Sequence, residues 1–196
     1  MSGSNVTESF VDHLCADFDE IAAGFVALKA QAQTIAAASE LMTRALLSGK
    51  KVIFCGNGGS AADSQHLAAE LMGRYLKDRP PLAALSLAVD ISSLTAIGND
   101  YGFENVFARQ LSGLGKPGDI LVAISTSGNS ANVIAAVRTA RISGIQTIGL
   151  TGADGGKLVS LCDICICVPA RMTNRVQEMH IAVGHALCGE VERRLF

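Results

Sequence analysis

The chain has 196 residues, the length of one domain with a substantial core, and a formal charge of −2 from 16 basic and 18 acidic side chains. With 49% hydrophobic and 17% charged residues it is not a disordered chain, and without a basic run it is a poor nucleic-acid surface. No run reaches ~18 unbroken apolar residues, and Met1-Ser2-Gly3-Ser4-Asn5 lacks the basic start and apolar core of a signal peptide, so the expected location is the cytoplasm.

Residues 1–48 read as helical. Phe10, Leu14, Phe18, Ile21, Phe25 and Leu28 form one apolar stripe, and Ile35, Ala38, Leu41, Met42, Ala45 and Leu46 form a second that ends near Gly49. Two helices ahead of an α/β pattern suggest a hairpin packed on the domain or on a neighbouring subunit. From Lys51 onward apolar strand-like runs at 52–55, 84–87, 120–125, 147–150 and 164–168 alternate with helix-like stretches. Those helices are expected at 61–76, 91–97 with 104–111, 131–143, 157–160 and 173–195. Continuous apolar strands between helices imply a parallel sheet covered on both faces.

Two loops follow strands in this scheme. The first is Cys55-Gly56-Asn57-Gly58-Gly59-Ser60 and the second Ser125-Thr126-Ser127-Gly128-Asn129-Ser130, each leading into an alanine-rich helix. Strand, tight loop and helix start aim backbone N–H groups and small hydroxyls at an anion. In parallel sheets ligands sit at the carboxyl ends of strands, where both loops fall. Ser130 could simply cap its helix, but three further hydroxyls at the same strand end fit a phosphomonoester better. Gly56-x-Gly58-x-x-Ala61 also matches a relaxed dinucleotide fingerprint. Its acidic partner would have to be Asp90, well past the next strand, and the second loop would then have no role. Gly155-Gly156-Lys157 is followed by Leu158 and is not a phosphate-binding P-loop.

His66 and Glu70 are four apart on a predicted helix and share a face, as ligands of one divalent ion or as a surface pair. The final helix offers Gln177, Glu178, His180 and His185. His180 points roughly 140° away from His185, so only one of them can face a given site, and spacing does not choose between them. Gln177 could equally be the partner of an Asn174 cap. Among the six cysteines, Cys162, Cys165 and Cys167 lie in a β-rich apolar run with no second pair elsewhere. They read as small buried hydrophobes rather than redox or metal groups.

Residues 55–71 with Gly73-Arg74-Tyr75, Ile97-Gly98-Asn99-Asp100-Tyr101, the 125–130 loop, and Val176-Gln177-Glu178-Met179-His180 with His185 together resemble the sugar isomerase (SIS) domain family over nearly the whole chain. The nearest resemblance is to its isomerases of heptose phosphates. The resemblance implies a flavodoxin-like three-layer αβα sandwich with a central five-stranded parallel sheet, and a homotetramer with sites at subunit interfaces. It implies one zinc ion per subunit held by His66, Glu70, Gln177 and His185, and phosphate binding by Ser125, Thr126, Ser127 and Ser130. Asn57, Gly58, Gly59, Ser60, Arg74, Asn99 and Asp100 would surround the sugar, with Glu70 and Gln177 also touching it. The implied reaction converts sedoheptulose 7-phosphate to D-glycero-D-manno-heptose 7-phosphate, the first step of bacterial heptose synthesis for lipopolysaccharide or another surface glycan. Glu70 is expected to be the base and His185 the partner acid. A non-catalytic scaffold that binds the replication initiator DnaA, and isomerases of other sugar phosphates, are similar to this chain too. The scaffold lacks the histidine equivalent to His185, and a scaffold has no need of four convergent ligands, so the isomerase is expected.

Overall fold

A computed structural model describes residues 4–196, with side chains from Glu8 onward; residues 1–3, part of the N-terminal stretch read above for a leader, lie outside the described residues. Its strands are β1 (Val52–Gly56), β2 (Ala84–Ser86), β3 (Ile120–Ile124), β4 (Gln146–Thr151) and β5 (Ile164–Cys167). They form one sheet of order β2-β1-β3-β4-β5, parallel throughout. The helices are α1 (Ser4–Leu28), α2 (Ala32–Leu47), α3 (Gly59–Met72), α4 (Ile91–Tyr101), α5 (Val106–Leu114), α6 (Ala131–Ile142), α7 (Leu158–Leu161) and α8 (Thr173–Leu195).

Alternate residues of a strand point to opposite faces. β1 therefore sends Val52 and Phe54 into a core with Leu41 of α2, Leu67 and Leu71 of α3, and Val183 and Leu187 of α8. Ile53 and Cys55 enter a second core with Phe107 and Leu111 of α5, Val137 of α6 and Leu158 of α7. Two cores on one sheet make the expected three-layer sandwich, and the strand order is that of flavodoxin-like folds. The order reverses between β1 and β3, which pair from Val52 opposite Ile120 to Gly56 opposite Ile124. That pairing brings the two glycine- and serine-rich loops side by side.

Two boundaries differ from the sequence reading for visible reasons. α3 stops at Met72 instead of running to 76. Arg79, itself buried, donates to the carbonyls of Glu70 and Leu71 (both 2.9 Å), so the last turn of α3 is closed by a side chain from beyond it. α4 runs on to Tyr101 and breaks at Gly102, whose φ of 84° only glycine adopts readily. Asp90, the only candidate for a dinucleotide-binding acid, is the N-cap of α4 and accepts from Ser93 N at 3.0 Å.

The N-terminal helices do not fold back as a hairpin. Lys29–Gln31 is one turn of 3-10 helix, and both flanking residues, Leu28 (φ −59°) and Ala32 (φ −55°), keep right-handed helical backbone, so α2 continues from α1. Glu8–Leu47 contains an 18-residue stretch apolar enough, by length and composition, to cross a membrane, although Lys29, Gln31 and Gln33 interrupt the segment. α2 packs on α8 through Ala38, Leu41, Met42 and Ala45. α1 touches α8 where Arg175 bridges Asp17 (3.1 Å) and Glu20 (3.7 Å), while Phe10 and Phe18 stay 63% and 66% exposed.

Candidate active site

Loop one turns at Gly58 (φ 55°) and loop two at Gly128 (φ 65°). A Cβ at Gly128 would run into the Gly155 carbonyl, so the loop lies directly on the 152–157 turn; Leu158 N and Lys157 N donate to Gly128 O (3.1 Å) and Asn129 Oδ1 (3.2 Å). The two loops are tied together by a reciprocal amide pair: Asn57 Nδ2 donates to Asn132 Oδ1 and Asn132 Nδ2 to Asn57 Oδ1, each at 2.8 Å. Asn132 is 3% exposed and was not singled out from the sequence.

Between the loops lies a cavity of about 250 Å³ lined by Asn57, Gly58, Gly59, Ser60, Ile124, Ser125, Thr126, Ser130, Thr173 and Gln177. Three helix starts meet there: α3 at Gly59, α6 after Ser130 and α8 at Thr173. Converging N-termini present N–H groups and the positive ends of three helix dipoles to an anion. Ser130 is the N-cap residue of α6, but its hydroxyl makes no capping bond; it lies 2.9 Å from Ser125 Oγ instead, turned toward the cavity. Thr173, which the sequence reading passed over, adds another hydroxyl; its place at the first residue of a predicted helix was the available signal. Ser127 is exposed and accepts from Asn129 N at 3.1 Å rather than lining the cavity.

The second half of the site lies farther along α3 and α8. His66 Nε2 is 2.9 Å from His185 Nε2 and 3.3 Å from Glu70 Oε1. One ligand atom from each of the three residues lies within 4.8 Å of the others. Two ligands of a tetrahedral zinc at ~2.0–2.1 Å stand about 3.3 Å apart, so two imidazoles and a carboxylate at this spacing fit such an ion. Gln177 is two turns before His185, and its amide lies where a Cβ on Gly59 would sit (2.6 Å from Nε2). Asp63, one turn before His66, has a buried Oδ2 with no hydrogen-bond partner among the described residues. Burial pushes its pKa up, against the pull of His66 and His185. Arg74 is exposed on the loop after α3; Asn99 and Asp100 are exposed on the last turn of α4, where Asn99 Nδ2 donates to Asp100 Oδ1 (2.8 Å). None of these three lines the cavity within this subunit.

Of the two candidate histidines, His185 is the one beside His66. His180 is fully buried, and neither ring nitrogen has a hydrogen-bond partner among the described residues. Burial lowers its pKa to about 4, with the Thr151 backbone opposing the shift. The unfolded chain takes up this proton near pH 6.5, the native one only near 4, so stability falls as pH drops through that window, by up to roughly 3 kcal/mol. Melting curves at pH 7.5 and 5 should show a smaller loss for His180→Leu than for the parent; equal losses would assign the acid sensitivity elsewhere. Three of the cysteines are kept protonated by burial as well. Burial pushes Cys55, Cys162 and Cys188 up to about 12, which leaves them as thiols at neutral pH.

The family model described as the SIS domain matches residues 18–152. The phosphoheptose isomerase of Rhodospirillum rubrum is 59% identical over 171 residues, covering 87% of this chain and 91% of the relative. That of Akkermansia muciniphila is 55% identical over 176 residues, covering 90% and 93%. Among solved structures, phosphoheptose isomerase from Neisseria gonorrhoeae superposes with a TM-score of 0.89 at 44% identity, covering 94% of this chain and 99% of that one. The fold, the paired loops and these likenesses agree: the chain belongs to the SIS domain family and, within it, to the phosphoheptose isomerases.

Proposed function

We propose that this chain isomerises sedoheptulose 7-phosphate to D-glycero-D-manno-heptose 7-phosphate, the entry step to bacterial heptose, in the cytoplasm and as a homotetramer with one zinc ion per subunit. In this reading residues 1–196 are one SIS domain whose N-terminal helices pack on it and on a neighbouring subunit; the exposed Phe10 and Phe18 of α1 support that contact. One observation carries the substrate assignment. α3 begins at the anion cavity with Gly59 and Ser60 and carries His66 and Glu70 farther on, while α8 begins there with Thr173 and carries His185. At 1.5 Å per residue the rise along α3 from Ser60 to His66 is roughly 9 Å, close to the length of an extended sugar phosphate held at both ends.

Moving a proton from C1 to C2 of a ketose needs a base and an electrophile together, because carbon acids beside a carbonyl are weak. Glu70 takes the C1 proton to give the enediol and returns it to C2. His185 moves a proton between O1 and O2. Zinc held by His66, Glu70, Gln177 and His185 would supply Lewis-acid polarisation of the substrate oxygens. Asn57, Gly58, Gly59, Ser60 and Gln177 flank the chain of hydroxyls, and Ser125, Thr126 and Ser130 take the phosphate, with Ser127 left outside the cavity. Arg74, Asn99 and Asp100 complete the sugar site across the subunit interface. The phosphate supplies remote binding energy that positions the reacting end.

The test is isomerisation of sedoheptulose 7-phosphate by the purified protein, compared with sedoheptulose itself. Ser130→Ala should cost about 10- to 150-fold in kcat/KM on the phosphorylated sugar, the scale of one hydrogen bond to a charged group. On the unphosphorylated sugar the same substitution should have little effect, because the two changes delete one contact. Equal penalties on both sugars would remove the 125–130 loop from phosphate binding, and no turnover of either would reject the isomerase.

A further inference from the structure

Tyr75 lies on the loop after α3, and its ring stacks on the imidazole of His185, with centroids 5.6 Å apart and planes at 27°. The chemistry above gives it no role. Yet the loop that carries it is held with unusual care. Glu192, seven residues after His185 on α8 and 2% exposed, accepts the backbone N–H groups of Tyr75 (3.2 Å), Leu76 (3.0 Å) and Lys77 (2.8 Å) and the Nε of Arg79 (3.0 Å). Burial works against its charge, but these four donors outweigh it and hold the carboxyl below its ordinary range. Arg79 reaches from the same carboxylate to the carbonyls of Glu70 and Leu71, so one buried ion pair fixes the end of α3 and the start of the loop together.

Gly189 makes room for the ring. It sits one turn after His185, and a Cβ there would stand 3.1 Å from Tyr75 Cε1, tighter than an ordinary carbon contact. The phenol ring therefore lies flat on α8 beside the imidazole. A histidine that holds a metal or moves a proton usually has its second ring nitrogen fixed by a hydrogen bond. Among the described residues no side chain or carbonyl bonds His185 Nδ1; its hydrogen-bond contact is Nε2 to His66, and the Tyr75 ring stacks on its face. Rotation of the imidazole would carry Nε2 away from His66 and Glu70.

We infer that Tyr75 is the positioning residue of His185, its ring face replacing the missing hydrogen bond, with Glu192, Arg79 and Gly189 acting through it. The inference rests on reading His66, Glu70 and His185 as the metal and proton-transfer site. Zinc affinity is measured by competition with a chromophoric chelator, alongside the absorption spectrum of the Co(II) form and kcat and KM for sedoheptulose 7-phosphate. Tyr75→Ala should weaken zinc binding and lower kcat, each by about 10–100-fold, the usual cost of removing a residue that orients a ligand. KM should change little, because the phosphate end is untouched, and the Co(II) spectrum should shift. Tyr75→Phe keeps the ring face and should stay close to the parent in all of these. Gly189→Ala displaces the ring while leaving the Glu192 bonds in place, so it should lower kcat without lowering the melting temperature. This variant decides the matter should Tyr75→Ala fail to fold. Parent-like zinc affinity and kcat in Tyr75→Ala would overturn the inference, as would a Tyr75→Phe variant damaged as badly as Tyr75→Ala. A parent protein that neither binds zinc nor isomerises the sugar would instead overturn the site reading beneath it.

Discussion

Replacing Glu70 with glutamine is expected to lower turnover by about 10²–10⁴-fold, the range for losing a positioned acid–base group, while the protein stays folded. Glu70 lies on the half-exposed face of α3, outside both cores, so the swap removes a charge without opening a cavity. Its carboxylate is 3.3 Å from His66 Nε2, one helical turn away, so in the proposed reaction it would share the zinc ion with that imidazole as well as take the C1 proton. Those two duties can be separated. Glutamine keeps a carbonyl oxygen for the ion, so zinc content should fall far less than kcat. Activity that tracks zinc occupancy and returns with excess zinc would make Glu70 a ligand only. Near-normal turnover would remove it from the chemistry.

Chelation is expected to abolish isomerisation, by at least ~10³-fold, since polarising the substrate oxygens is worth several kcal/mol of transition-state stabilisation. Added zinc should restore it, because the ion enters a site that the fold already holds. Leu67 and Leu71 of α3 pack against Val183 and Leu187 of α8 in one core, and Gly184 leaves space for the Leu67 side chain. The helices that carry His66, Glu70 and His185 are thus kept together by apolar contacts rather than by the ion. The far-ultraviolet circular dichroism of the metal-free protein should match that of the loaded form, and its melting temperature should rise with zinc concentration as mass action requires. Full activity in a verified metal-free sample would rule out the metal mechanism. Zinc-independent binding to the replication initiator DnaA with no sugar turnover would favour the scaffold.

The fixed geometry of the cavity between the two loops depends on glycines and amides more than on charge. Gly58 and Gly128 adopt positive φ, and Gly59 leaves the space that the Gln177 amide fills. Among the described residues no lysine or arginine lines the cavity; three helix starts meet there with the hydroxyl side chains of Ser60, Ser125, Thr126, Ser130 and Thr173. Such a cavity would suit an anion without a basic patch.

Much of this was determined by the sequence itself. Strands buried on both faces must be apolar throughout, so 52–55 and 120–124 stand out, and the turns between strand and helix need glycine wherever φ is positive. The two glycine- and serine-rich loops, the His66–Glu70 spacing and the 173–195 helix were legible in the local pattern. Local pattern could not show that α1 runs into α2 without a hairpin, because a turn of 3-10 helix at Lys29–Gln31 has no distinctive residue signal. It could not choose between His180 and His185 either; that depends on which face of α8 meets α3, and one face is buried with His180 while the other holds His185 against His66. The same limit hid the Asn57–Asn132 and Arg79–Glu192 pairs, whose members lie 75 and 113 residues apart. A buried polar side chain is satisfied by whatever the fold brings next to it. That partner is set by the packing of whole helices on the sheet, and only the tertiary structure decides it.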